Sequence, residues 1–308
     1  MTVSVPPGAT LPAVTHHFLA IEGSRLHYAS AGEGGSPILL VHGFPETWWA
    51  FHKVIPLLAE QHRVYAVDLR GFGDSDEADS DYSGAAAVQD LHRLIEHLAV
   101  GPMHVLGQDI SGGVVYRLAA THPDDVLSLI GVETALAGFG AERLADVANG
   151  GAWYIGALVT PGIPELLFAG KAAEFIAGYL YPSFGLVAPA VTDADTAEFV
   201  RTYARPGGFA GATGLYRSLL KDGAENRALA EASPLRMPVL AVGDAGGAFT
   251  ASALQQVSAA TISTSQLPGV GHYVAQQAPE QLAAVLLPFL AETDASSGRH
   301  ESVPTGSR

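Results

Sequence analysis

The sequence predicts an α/β protein, with a mostly parallel central sheet flanked by helices and a mainly helical insertion that interrupts it. Apolar runs of strand length alternate with segments of helical period. The strand candidates are unbroken apolar runs, the pattern of a parallel sheet covered on both faces. The alternation then stops for roughly one hundred residues, within the size range of a domain, and resumes near the C-terminus.

The elements follow in order. HFLAIEG and SRLHYASAG, meeting at Glu22 and Gly23, read as an opening hairpin. PILLVHG (37–43) reads as a buried strand. Segment 48–61 carries Trp48, Phe51, Val54, Ile55 and Leu58 on one face at the 3.6-residue period and predicts a single helix. Strands at 63–69, 103–107 and 126–132 alternate with helices at 85–98 and 111–121, the second ended by Pro123. From 134 to 232 there are helical segments and Gly/Pro breaks without a strand. A strand at 238–243, a helix at 252–259, a strand at 263–267 and a last helix at 280–290 complete the pattern. The expected division is a core at 1–136, a helical cap at 137–233, a second core part at 234–293, and a tail at 294–308 that lacks apolar periodicity and reads as disordered.

Composition narrows the function classes. Sixteen Lys and Arg against 31 Asp and Glu give the 308-residue chain a formal charge of −15, which argues against nucleic acid and anionic membranes as partners. Charged residues make up only 15%, as suits a large buried core, and cysteine is absent, which excludes disulfides, thiolate metal sites and a cysteine nucleophile. The first residues, MTVSVPPGATLPAVTHH, lack the basic and apolar regions of a signal peptide. Segment 147–170 has Glu165 as its only charge, but Pro161, Pro164 and several glycines break it, so a spanning helix is not expected. The expectation is a soluble, cytoplasmic protein.

In parallel sheets ligands lie beyond the C-terminal strand ends. After strand 103–107 comes Gly107-Gln108-Asp109-Ile110-Ser111-Gly112-Gly113, a cramped strand–turn–helix with the layout of a nucleophile elbow and Asp109 at its centre. Asp109 could equally cap the following helix. Ser111 is a weaker nucleophile candidate, because Asp109 stands two residues before it where a small residue is needed. After strand 37–43, His42-Gly43-Phe44-Pro45 can aim the Phe44 N–H at the elbow, forming with the Ile110 N–H a two-donor oxyanion hole; His42 itself reads as a turn residue. After the last strand, His272 in PGVGHY is the candidate general base, singled out from eleven other histidines by its late position. Two acids follow strands: Glu133, preferred for its reach, and Asp244 as the alternative. His16-His17 and His92/His97 have no third ligand nearby in sequence, so no metal is expected.

Together HGFPETWW (42–49), VDLRGFGDSD (67–76), the Asp-centred elbow and PGVGHY resemble the α/β-hydrolase superfamily and, within it, the epoxide hydrolases, over about residues 17–292. The closest likeness is to epoxide hydrolases whose acid follows the sixth strand, which implies Glu133 for that role. The resemblance also implies two cap tyrosines that donate hydrogen bonds to the epoxide oxygen; the segments around Trp153-Tyr154 and YARPGG…LYRSLL give Tyr154 and Tyr216, Tyr216 having the better flanking match. Trp153 and Phe168, with Leu158, Ile163 and Leu167, make the insertion apolar and suggest a hydrophobic substrate pocket.

The implied reaction is attack of Asp109 on an epoxide, then hydrolysis of the ester by water that His272 activates, giving a vicinal diol. No cofactor is required; the partners are a small hydrophobic epoxide and water, and a homodimer is left open. A haloalkane or haloacid dehalogenase is the alternative. Several departures weigh against it: Gln108 stands where many relatives have His, Ile110 where haloalkane dehalogenases carry a halide-binding Trp, and Phe44 where many carry Asn or Trp. The arginines expected after the elbow of fluoroacetate dehalogenases are also missing. A non-catalytic binding protein of the same fold and a Ser111 esterase complete the alternatives.

Overall fold

The computed structural model describes residues 8–21, 24–76, 81–186, 189–244 and 246–297. Eight strands form one sheet in the order β1-β2-β4-β3-β5-β6-β7-β8. The strands are β1 (Thr15–Ile21), β2 (Ser24–Ala31), β3 (Pro37–Val41), β4 (Arg63–Val67), β5 (Met103–Gln108), β6 (Val126–Val132), β7 (Val239–Gly243) and β8 (Ser263–Gln266). The opening pair is antiparallel, β2 joins β4 antiparallel, and all later pairings are parallel. The expected junction of the hairpin at Glu22 and Gly23 lies outside the described residues. Every residue of β3, β5 and β7 is buried, as the unbroken apolar runs require.

The core helices are α1 (Ile55–Ala59), α2 (Gly84–Leu98) and α3 (Gly112–Thr121), then, after the insertion, α11 (Gly247–Val257), α12 (Val274–Gln277) and α13 (Pro279–Ser297). Ser83 begins α2 as an N-cap, its hydroxyl accepting the Ala86 N–H at 3.2 Å. Between β6 and β7 the chain holds α4 (Trp153–Val159), α5 (Ile163–Phe168), α6 (Ala172–Phe175), α7 (Tyr181–Ser183), α8 (Asp193–Tyr203), α9 (Ala210–Lys221) and α10 (Gly223–Ala232), with no strand among the described residues. A capping box between Thr192 and Asp195 starts α8. No helix among the described residues is long and apolar enough to cross a membrane.

Two expectations are corrected. The single helix at 48–61 is instead a 3-10 turn at Trp48–Phe51 followed by α1, with Pro56 in the first turn of α1, where its missing N–H costs nothing. The tail expected from 294 is helical through Ser297, because Asp294 is anchored: its carboxylate accepts from Ser36 Oγ at 2.8 Å and lies 3.1 Å from His104 Nε2. Residues 298–308 lie outside the described residues.

The register brings the C-terminal ends of the central strands to one level. Val41 pairs with Gly107, Gln108 with Val132 and Val132 with Val242. Whatever follows β3, β5, β6 and β7 therefore meets along one edge, beneath the helical insertion.

Candidate active site

Asp109 follows β5 with φ of +53°, a left-handed conformation that an aspartate tolerates only where its surroundings enforce it. The close packing does so. A Cβ at Gly43 would lie 2.5 Å from Asp109 Cβ, and one at Gly107 would lie 2.6 Å from a Val115 methyl, so only glycine lets the two turns approach. The Phe44 N–H donates to Asp109 Oδ2 at 2.9 Å. Ile110, the other expected oxyanion donor, follows Asp109 and lines the same cavity as Phe44.

His42 does not face the cavity. Its Nδ1–H donates to the Gly43 carbonyl at 2.8 Å and its Nε2 accepts the Leu69 N–H at 3.1 Å. Burial holds its pKa below the usual histidine range, so a neutral ring ties the two loops together. Ser111 Oγ is buried and donates to the Val41 and Gln108 carbonyls at 3.0 and 2.8 Å. That rules against the serine esterase alternative, because the hydroxyl points into the strand ends rather than the cavity.

His272 comes from the loop after β8. Its Nε2 lies 3.4 Å from Asp109 Oδ1 and its Nδ1 lies 3.4 Å from Glu133 Oε2. Burial alone would lower its pKa, but the bonds to Asp109 and Glu133 outweigh that and push it up to about 10. The two flanking carboxylates thus favour the protonated ring. Glu133 ends β6 with φ of +50° and is held by backbone, its Oε1 accepting the Asp244 N–H at 2.5 Å and its Oε2 the Gly246 N–H at 3.1 Å. Asp244, the alternative acid, turns its carboxylate to the Gly269 and Gly271 N–H groups at 3.1 and 3.0 Å. It shapes the loop that carries His272.

The cavity above these groups has a volume of about 760 Å³, within the range of small-molecule sites. Tyr154 on α4 and Tyr216 on α9 line it from the insertion, their rings 6.2 Å apart and crossing at 78°. Burial, with the Asp109 charge nearby, raises both phenol pKa values, so both keep their protons. Trp153 and Phe168 need correction, since neither lines this cavity. Trp153 is 41% exposed and its Nε1–H donates to Tyr179 OH at 2.7 Å; consecutive helical residues point about 100° apart, so Tyr154 turning inward sends Trp153 outward. Phe168 packs on Phe175 with ring centroids 4.1 Å apart.

Sequence reasoning missed Glu46. It is fully buried behind Asp109, accepts from Gln108 Nε2 at 2.8 Å and from Gln276 Nε2, and burial pushes its pKa up to about 8. Only its place in HGFPETWW hinted at it. The expectation for His92 is also corrected: His122, stacked on it with ring centroids 3.8 Å apart, and Asp125 group their ligand atoms within 4.8 Å. These neighbours come from the far end of α3, so spacing along α2 could not reveal them. His92 Nδ1 is already bonded to Asp125 at 2.6 Å, and the group lies away from the cavity.

A carboxylate at a strained elbow, an imidazole over it, an acid behind the imidazole and a helical insertion over all three meet at the C-terminal strand ends. A family model described as the alpha/beta hydrolase fold matches residues 36–155. The chain is 29% identical over 289 residues to the soluble epoxide hydrolase of Corynebacterium sp. (strain C12), covering 90% of this chain and 98% of that one. It is 28% identical over 287 residues to a fluoroacetate dehalogenase of Burkholderia sp, covering 88% and 91%. The solved structure of the epoxide hydrolase CorEH without ligand superposes with a TM-score of 0.81 at 28% identity, covering 91% of this chain and 99% of that one. The chain has the α/β-hydrolase fold, and the proteins it is similar to include epoxide hydrolases and a fluoroacetate dehalogenase.

Proposed function

We propose that the protein is an epoxide hydrolase that opens a hydrophobic epoxide to a vicinal diol through an ester on Asp109. The observation that carries this reading is the Asp109 carboxylate itself. One oxygen accepts the Phe44 N–H, the other faces His272, and two protonated phenols share the cavity. A carboxylate is already anionic at neutral pH and attacks saturated carbon without a base, whereas an epoxide oxygen leaves only if it gains a proton. Phenols supply that proton.

The proton balance closes. Asp109 attacks an epoxide carbon, the carbon–oxygen bond breaks, and the alkoxide takes a proton from Tyr216 or Tyr154. Esterification removes the Asp109 charge that held the proton on His272; that proton restores the phenol and leaves a neutral imidazole. His272, oriented by Glu133, then takes a proton from water as its oxygen adds to the ester carbonyl. The Phe44 and Ile110 N–H groups meet the oxyanion, where one such donor is worth about 3–4 kcal/mol. Collapse expels the alkoxide, which takes the carboxyl proton, and Asp109 returns as a carboxylate beside protonated His272. One turnover of styrene oxide by excess enzyme in 18O-water tests the scheme. The expected diol carries unlabelled oxygen drawn from Asp109; label in the first-turnover diol means water attacked the epoxide directly.

A further inference from the structure

The cavity over Asp109 contains two carboxylates, and its one cationic group is already shared between them. Asp109 and Glu133 flank His272 at 3.4 Å on either side. Among the described residues no lysine or arginine lines the cavity. Its remaining walls are uncharged, with Leu144, Ile155, Leu219 and Phe249 among the apolar residues and hydroxyls from tyrosines, Thr134 and Ser183.

The backbone offers an anion no substitute. The Gly150, Gly151 and Ala152 N–H groups on the lining donate to the carbonyls of Val147, Asp146 and Leu144 at 3.4, 2.8 and 2.7 Å. Those of Gly246 and Gly271 donate to the Glu133 and Asp244 carboxylates at 3.1 and 3.0 Å. A second anion entering this space would lose its water and find only neutral hydroxyl donors and no cation free of the two carboxylates, in the field of a chain carrying −15.

We infer that the substrates are epoxides uncharged over the part that enters the cavity, and that a carboxylate close to the epoxide ring excludes a compound from turnover. This rests on the epoxide reading of the same site and extends it to a charge rule. The rule separates the chain from hydrolases whose substrate is a small carboxylate, such as the relative named for fluoroacetate.

The full-length wild-type protein tests it against three styrene oxides that differ only at the para position: methyl, methyl ester and free carboxylate. Near pH 7 the carboxylate is ionised, and its kcat/KM is expected to be at least ~100-fold below that of its own methyl ester, the ordinary consequence of burying an unpaired charge. The ester is expected to match the methyl compound within ~10-fold, since both are neutral. A carboxylate turned over as fast as its ester overturns the charge rule alone. Failure of both neutral epoxides to yield diol overturns the underlying reading of the site.

Discussion

Replacing Glu133 with glutamine keeps the side chain's size but removes the charge facing His272 Nδ1. In the resting site the imidazole has an anion on each side, both at 3.4 Å. Once Asp109 is an ester, Glu133 is the only one left, so its removal falls on the hydrolytic step. A hydrogen bond to a charged group contributes about 1.5–3 kcal/mol, or roughly 10- to 150-fold in rate. Alkylation needs no base and should change far less. Rapid quenching followed by intact mass measures both steps, and Glu133→Gln is expected to accumulate the ester that the wild type turns over. Equal slowing of both steps, or unchanged hydrolysis, would refute the reasoning. Asp244→Asn is the control: an amide oxygen can still accept the Gly269 and Gly271 N–H groups, so hydrolysis should be little altered. If Asp244→Asn arrests hydrolysis and Glu133→Gln does not, the orienting acid is Asp244.

Three further outcomes are expected. Tyr216→Phe removes one donor to the developing alkoxide and should slow alkylation by ~100-fold while sparing ester hydrolysis, as single-turnover kinetics will show; equal slowing of both steps contradicts its role. Glu46 has a folded pKa raised from 4.5 to about 8, so the unfolded chain releases this proton earlier than the folded one, and the wild type should lose stability as pH rises from 4.5 towards 8. Glu46→Gln has no such proton, so its stability relative to wild type should improve with pH across that window. Denaturation midpoints at both ends measure this, and a constant difference would mean that Glu46 is ionised in the native protein. Asp294→Ala removes a carboxylate shared by Ser36 and His104 at the N-terminal edge of the sheet, leaving those two with each other at 3.2 Å and with His62 and Ser128. It should cost about 0.5–1.5 kcal/mol, seen as a lower Tm, and leave turnover unchanged because the proposed catalytic edge is opposite.

The strands were legible because a parallel sheet covered on both faces has no room for polar alternation: PILLV and MHVLG could be little else. The elbow was legible for a related reason, since the approach of Gly43 and Gly107 to neighbouring atoms at 2.5 and 2.6 Å forces a pattern of small residues that survives in one dimension. Side-chain direction was not so marked. Trp153 and Tyr154 are adjacent and aromatic, and only the packing of α4 decides which one enters the cavity. Contacts across the chain were also silent: nothing near Asp294 announces His104 and Ser36, which anchor the last turn of α13. Residues 52–54 between Trp48–Phe51 and α1 kept the helical period of apolar side chains while the backbone broke, and Pro56 marked the restart.

The central claim is a bond between the Asp109 carboxylate and substrate carbon, and His272→Gln tests it most directly. This variant keeps the nucleophile but lacks the base, so after incubation with styrene oxide its intact mass should rise by one epoxide, and digestion should locate the addition on the peptide holding Asp109. An unshifted mass from a folded variant whose wild type makes diol, or an addition mapped to another residue, would contradict the account.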